Sequence, residues 1–284
     1  MSIIFYSPEA DARERLERFI LRAARWTGSH WPLAKGKYRL MILAESLCGR
    51  FPKDVKVTVP DGRSLALRFA PDIWDTVFFF GEYEAALTEV VRRVVRSGDI
   101  CLDVGANFGW YTTLLSEISG PGGQVFAFEP MPDTFRLLEA NVASARYKNV
   151  FINNCGLGDF NGTAELHFFP DLGPGHASIS DHGRSDSIKI PVRIQKFDDF
   201  AQDHNLRGEV VFLKVDIEGA ELAFLRGAER LFEQAMPPII LMEMALEQTA
   251  SFGYSPNDLI EFIRSRRPYK FFSADLKRGR LREI

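Results

Sequence analysis

Three carboxylates and their spacing carry most of the chemistry written into this chain. Asp103 sits in an apolar run, Ile100-Cys-Leu-Asp-Val, and is followed at once by the turn Gly105-Ala-Asn-Phe-Gly109. Glu129 closes a second apolar run, Val125-Phe-Ala-Phe, and precedes Pro130. Asp216 lies far downstream in Phe212-Leu-Lys-Val-Asp-Ile-Glu-Gly-Ala-Glu221. A strand that runs into an acidic residue and a glycine turn, followed by a strand ending in a carboxylate, builds a nucleotide-ligand crevice at the carboxyl ends of parallel strands. Gly105 and Gly109 let the backbone approach a ligand, and Glu129 can accept hydrogen bonds from two ribose hydroxyls. The pattern is not the dinucleotide fingerprint, which requires glycine where this chain has Asn107 and Trp110. A nicotinamide-dependent dehydrogenase is disfavoured on that ground.

The downstream segment adds an ionic group to the crevice. Lys214, Asp216 and Glu218 alternate, so an extended backbone would point all three side chains the same way. A lysine inside an apolar parallel strand is costly unless paired, and Asp216 is the obvious partner. The pair has two readings: a structural ion pair, or chemistry at the strand end where ligands bind in open α/β sheets. Glu243, ending Ile239-Ile-Leu-Met, is expected to project into the same crevice.

Together these segments resemble the class I methyltransferases that use S-adenosylmethionine and, more narrowly, the FkbM family. The resemblance rests on Asp103-Val-Gly-Ala-Asn-Phe-Gly-Trp-Tyr111, on Phe128-Glu-Pro130, and on Phe212 to Glu221 with Glu243 downstream. It covers the stretch 75–275. It implies S-adenosylmethionine as cofactor, with Asp103 orienting the turn amides and reaching the methionine amino group. Gly105, Ala106 and Gly109 would form the turn, Asn107 and Tyr111 would meet the methionine end, and Glu129-Pro130 would clamp the ribose. Gly156 and Leu157 would pack on adenine, and Asp216 would also touch the cofactor. The implied reaction is O-methylation of a sugar, glycan or secondary-metabolite hydroxyl.

Methyl transfer from a sulfonium mainly demands in-line positioning, while an aliphatic hydroxyl gains from a base as its proton leaves. Asp216 is the first candidate base and Glu218 the second, with Lys214 as their partner. His176, on a long loop, is a further candidate base or sugar contact. In metal-dependent relatives, carboxylates at the ends of these two strands hold magnesium. Here that set would be Asp216 and Glu243, one hard ligand short, so no metal is assigned and magnesium stays conditional. A non-catalytic cofactor-binding protein would be expected to have lost Asp103, Glu129 or Asp216, and all three are present.

The elements that must position these residues follow from periodicity. The fold expected is α/β: a Rossmann-like, mostly parallel sheet with an antiparallel C-terminal hairpin, behind an N-terminal helical and hairpin appendage. The appendage is placed at 1–74 and the methyltransferase domain at 75–284, with a β insertion at 160–197. Strands are predicted at 100–104, 124–128, 149–154, 210–215 and 238–243. Helices are predicted at 83–95, 109–118, 132–145, from 220 to 233 and from 256. Alternating strands and helices argue for a parallel sheet covered on both faces. Within the appendage, helices are expected at 8–27 and 37–48, and Pro60-Asp61-Gly62 signals a hairpin between 55–59 and 65–69. On the first helix, Leu16, Phe19, Ile20 and Ala23 are expected to pack. Arg15, Arg18, Arg22 and Arg25 are expected to form a solvated basic face, or one for an anionic lipid carrier or partner chain. Trp74, Phe78-Phe79-Phe80 and Trp110 are candidates for an apolar wall, and for the phenylalanines core packing is favoured over a substrate platform.

Composition sets outer bounds. A 284-residue chain with 46% hydrophobic residues holds one large α/β domain and an appendage. A net charge of −3 and the lack of a basic, aromatic-interleaved stripe argue against nucleic acid. Cys48, Cys101 and Cys155 have no disulfide or zinc spacing, and Cys101 reads as a buried strand residue. No long apolar run or export signal is seen, so a cytoplasmic protein acting on a small-molecule or glycan acceptor is expected; a homodimer is left open.

Overall fold

The computed structural model describes residues 3–5, 12–30, 37–48, 54–68, 73–143, 148–169, 177–180, 186–206, 208–275 and 280–284. The chain divides into two compact units, Met1–Glu84 and Ala85–Ile284.

The first unit contains β1 (Ile3–Phe5), α1 (Ala12–His30), α2 (Lys37–Cys48), β2 (Asp54–Thr58), β3 (Ser64–Arg68) and α3 (Ile73–Phe80). The predicted hairpin is present as β2–β3, and β1 joins its free edge to give an antiparallel sheet. Val55, Val57, Leu65 and Leu67 are all buried, as period-two alternation requires. Helix α3 was not foreseen; it takes up Phe78 and Phe79, which are core, and it straddles the expected 74–75 boundary.

The face of α1 that packs is the opposite of the one expected. Leu21, Ala24 and Arg25 are buried, whereas Leu16 and Phe19 are exposed. Arg25, only 2% exposed, donates to the carbonyls of Val77 (3.1 Å), Phe78 and Thr58 (2.8 Å). It thus caps the last turn of α3, sharing the Val77 carbonyl with the Gly81 amide. Burial pulls this guanidinium down to about 10, so it stays charged at neutral pH.

The second unit runs α4 (Ala85–Val94), β4 (Ile100–Val104), α5 (Trp110–Ser119), β5 (Gln124–Phe128), α6 (Pro132–Ala143), β6 (Val150–Asn153), β7 (Gly156–Leu157), β8 (Gly162–Phe168), β9 (Ile188–Gln195), α7 (Phe197–Asp203), β10 (Val210–Val215), α8 (Glu221–Arg226), α9 (Arg230–Glu233), β11 (Ile239–Met242), α10 (Leu246–Ser251), α11 (Pro256–Arg266), β12 (Phe272–Asp275) and β13 (Arg280–Glu283). Five strands pair in the order β11-β10-β4-β5-β6, every pair parallel. The chain leaves β4 toward β5 and β6, then returns to the other side as β10. The topological switch point therefore lies between β4 and β10, where open α/β sheets hold their ligands. Both faces are covered: Phe126 and Phe128 pack with Phe197, Phe200, Leu222 and Phe224, while Ala127 packs with Leu138 on α6. Cys101 and Cys155 are buried free thiols, and burial pushes Cys101 up to about 12.

Two details depart from the sequence reading. The helix expected over 220–233 breaks into α8 and α9 at Gly227. A side chain there would place its Cβ 1.9 Å from the Gly158 carbonyl oxygen, so the helix ends where backbone meets backbone. Strand β10 ends at Val215, so Asp216 and Glu218 are not part of one extended run with Lys214. The expected antiparallel C-terminal hairpin is present as β12–β13, a two-stranded sheet.

The β insertion is a small sheet of its own. Strands β8 and β9 pair antiparallel from Gly162↔Ile194 to Phe168↔Ile188, and β7 joins β9 in parallel. Leu166, Val192 and Ile194 form its core with Met131, two residues beyond Glu129.

Candidate active site

Crevice geometry begins with the turn after β4. The Gly105 and Ala106 amides both donate to the Phe128 carbonyl, at 3.0 and 2.9 Å. The Asn107 amide donates to Glu129 Oε2 (2.8 Å), and the Met131 amide to Glu129 Oε1 (2.8 Å). Glu129, not Asp103, therefore orients the turn. Asn107 takes a left-handed backbone (φ +51°), which asparagine tolerates better than most residues, and its Oδ1 accepts from the Phe108 amide. Burial pushes Glu129 up to about 7 even though two amides favour its charged form.

Gly105 is where the two halves of the crevice touch. Its φ is +82°, and a Cβ there would lie 1.8 Å from the Asp216 carbonyl oxygen. The turn after β4 and the loop after β10 are in backbone contact, which only glycine permits.

Asp103 is buried below this contact. Its Oδ2 accepts from Thr112 Oγ1 (2.5 Å), while its Oδ1 is buried without a hydrogen-bond partner. Burial raises its pKa, opposed chiefly by Lys214 and the Thr112 hydroxyl.

On the other side, Lys214 Nζ donates to Asp216 Oδ2 at 2.7 Å and lies 4.8 Å from the centroid of the Tyr111 ring. Tyr111 is thus buried under the ammonium, a cation–π arrangement, instead of standing in the open crevice. One carboxylate oxygen each from Asp216, Glu218 and Glu243 lie within 4.8 Å of one another. They converge although the strand has ended, because Glu218 adopts φ +55°. Burial, then the charge of Asp216, pushes Glu243 up to about 8.

Four further side chains hold this loop. Gln248 Nε2 donates to Glu218 Oε2, and Ser178 Oγ donates to the Glu218 carbonyl at 2.9 Å. Buried Glu221 accepts from the amide of Gly219 (3.1 Å), and Tyr254 donates to the Gly219 carbonyl (2.6 Å). The Ser178 bond brings the insertion to the acidic cluster, while Met131 ties it to the Glu129 side. Glu221 was visible in the motif, but no local signal marks Ser178, Gln248 or Tyr254.

Of the adenine candidates, Gly156 lies beside Pro130, whereas Leu157 is committed to the core with Phe128 and Phe197. Trp110 is also core, its Nε1 donating to Thr88 Oγ1 (3.0 Å). Gly109 ends the turn just ahead of α5. His176 lies outside the described residues, as does the side chain of Trp74. A cavity of about 360 Å³ opens at the far end of β10, lined by Phe197, Gln202, Val210 and Arg230, away from the crevice.

The donor sets can be tested against the groups implied. A glycine turn, an orphaned buried carboxylate oxygen on Asp103 and a carboxylate on Glu129 suit a ligand carrying an ammonium and a ribose, as S-adenosylmethionine does. The three clustered carboxylates offer the oxygen ligands magnesium prefers. Lys214 and Gln248, however, already donate to two of them.

Parallel sheet, switch point and acidic strand ends define a Rossmann-like α/β protein with a crevice between β4 and β10. The methyltransferase FkbM domain matches residues 103–271, and the chain belongs to this family. It is 28% identical over 145 residues to Methyltransferase 1 of Beauveria bassiana, covering 45% of this chain and 57% of the relative. It is 38% identical over 77 residues to the 31-O-demethyl-FK506 methyltransferase FkbM of Streptomyces tacrolimicus, covering 27% and 29%. With the hexuronic acid methyltransferase AglP of Haloferax volcanii it shares 28% over 156 residues, covering 55% and 60%. The matches span less than two thirds of these relatives' length. Among solved structures, methyltransferase FkbM from Methylobacillus flagellatus aligns over 94% of this chain and 59% of its own, with a TM-score of 0.40 and 18% identity.

Proposed function

We propose that this chain is an S-adenosylmethionine-dependent O-methyltransferase acting on a hydroxyl of a sugar, glycan or secondary-metabolite acceptor. The observation that carries the proposal is the Lys214–Asp216 pair at the β4/β10 switch point, in backbone contact with the Gly105 turn. One relative supports the oxygen acceptor by name, the 31-O-demethyl-FK506 methyltransferase, and another, the hexuronic acid methyltransferase, supports a sugar-derived acceptor.

S-adenosylmethionine supplies an electrophilic methyl on a sulfonium. In this reading, Glu129 accepts from the ribose hydroxyls, with Pro130 and Gly156 beside it. The Asp103 Oδ1 accepts from the methionine ammonium. The backbone of Gly105, Ala106, Asn107 and Gly109 shapes the cradle. Asp216 takes the acceptor proton, Lys214 holds it in place, and Glu218 with Glu243 lines the acceptor side. Lys214 already provides a positive charge beside Asp216, so no step is assigned to a metal. His176 keeps its proposed place as a further acceptor contact from the insertion.

Incubating the protein with methyl-labelled cofactor and an extract of its source cells tests the reading. Label is expected on a hydroxyl, as an ether stable to mild alkali. Label recovered on nitrogen would overturn O-methylation, and label in an alkali-labile carboxyl ester would overturn the hydroxyl as acceptor.

A further inference from the structure

Helix α1 exposes apolar residues in a row. Leu16, Phe19 and Trp26 are 60%, 68% and 66% exposed, and Ala23 between them is exposed as well. Positions 16, 19, 23 and 26 recur every three or four residues, so they form one stripe along the helix. On helix α2, Ile42, Leu43 and Leu47 are each more than half exposed as well. Isolated exposed apolar residues need no explanation, but a stripe of this length on one helix marks an interaction surface.

The charges beside the stripe select the partner. Helix α1 carries five arginines against two glutamates, in a chain whose net charge is −3. Arg15 and Arg22 are exposed one position from Leu16 and Ala23, on the flank of the stripe. Glu17 is turned inward, its side chain only 15% exposed and bonded to Arg13 at 3.1 Å. A second copy seated on this stripe would set arginine against arginine. An aromatic and leucine stripe flanked by arginines instead matches helices that lie in the interface of an anionic bilayer, apolar side in the acyl boundary and guanidinium groups among the headgroups.

We propose that the exposed face of α1 docks this protein onto an anionic lipid surface. Phe19 and Trp26 enter the interface, and Arg15 and Arg22 contact headgroup phosphates. No helix among the described residues is long and apolar enough to cross a membrane.

The test uses the full chain with vesicles of phosphatidylcholine, alone or mixed with phosphatidylglycerol. Co-sedimentation with the mixed vesicles is expected, with little on the neutral ones, and added salt should weaken it. Phe19→Glu should cut binding at least about ten-fold, because a charge would enter the apolar side. Arg15→Glu with Arg22→Glu should do likewise through the headgroups. Both positions are exposed, so unchanged thermal midpoints would separate lost docking from lost folding. Absence of binding to the mixed vesicles, or equal binding to neutral ones, would overturn the proposal. So would a concentration-dependent dimer that Phe19→Glu dissolves, which would assign the stripe to a second copy.

Discussion

Lys214 Nζ lies 2.7 Å from Asp216 Oδ2, joining the penultimate residue of a buried strand to the loop that faces the crevice. The lysine side chain is 7% exposed and the aspartate 24%, so the pair runs from core to site. Asp216→Asn separates its two roles. Asparagine keeps the shape and an oxygen for Lys214 but cannot take a proton. As the acceptor base, Asp216 should cost about 10²–10⁴-fold in turnover when replaced. Were it only the counter-ion of Lys214, the change would cost on the order of 3–5 kcal/mol of stability, and activity would track the folded fraction. Turnover per folded molecule and thermal midpoint, measured on one preparation, distinguish the two. A large loss of turnover with a modest midpoint shift is expected.

Gly105→Ala should be more damaging than its size suggests. Its Cβ would sit 1.8 Å from the Asp216 carbonyl oxygen at φ +82°, so the two loops must part. A backbone strain and displacement of this kind costs on the order of 3 kcal/mol. Chemical denaturation should show that loss, and cofactor affinity should fall at least ten-fold (~1.4 kcal/mol). Unchanged affinity would show that the loop contact does not shape the site.

The acidity of Glu129 makes unliganded stability depend on pH. Folding raises its pKa from 4.5 to about 7, so its contribution is fully present below about pH 4.5 and is lost as pH rises through about 7. A shift of that size corresponds to roughly 3 kcal/mol. Glu129→Gln should therefore flatten the fall in thermal midpoint between about pH 5 and pH 8. An unaltered slope would mean that the carboxylate is solvated enough to ionise freely in the folded state.

Ser178→Ala tests whether the insertion serves the site. The Ser178 hydroxyl is buried and donates to the carbonyl of Glu218, whose φ of +55° brings its carboxylate into the cluster. Losing the donor leaves that carbonyl short by about 1–3 kcal/mol. The acceptor KM should rise while cofactor affinity holds, and Ser178→Thr should restore function. Equal losses for acceptor and cofactor would make Ser178 a general structural residue.

Much of the fold was legible in the sequence. Strands β4, β5 and β10 match the predicted bounds because apolar runs ending in Gly105, Glu129 and Asp216 leave little freedom in register. The Lys214–Asp216 pair was legible because a buried lysine has few alternatives to a neighbouring carboxylate. The packing face of α1 was not. That helix has apolar residues on two arcs, and periodicity alone does not say which one meets the core. Arg25 looked like surface, yet the terminal carbonyls of α3 gave its charge a buried use. The contacts of Ser178, Gln248 and Tyr254 were hidden for a different reason: each bridges more than 25 residues of sequence to a loop conformation set by Gly219 and Glu218.

The most direct test of the central reading is calorimetric titration of the purified chain with S-adenosylmethionine and with S-adenosylhomocysteine. Both are expected to bind with a one-to-one stoichiometry at micromolar concentrations, on the order of −8 kcal/mol. Glu129→Ala should weaken both at least ten-fold (~1.4 kcal/mol), because the ribose loses its acceptor. Failure of either compound to bind the wild-type chain below about millimolar, some −4 kcal/mol, would contradict the reading of the crevice as a methyl-donor site.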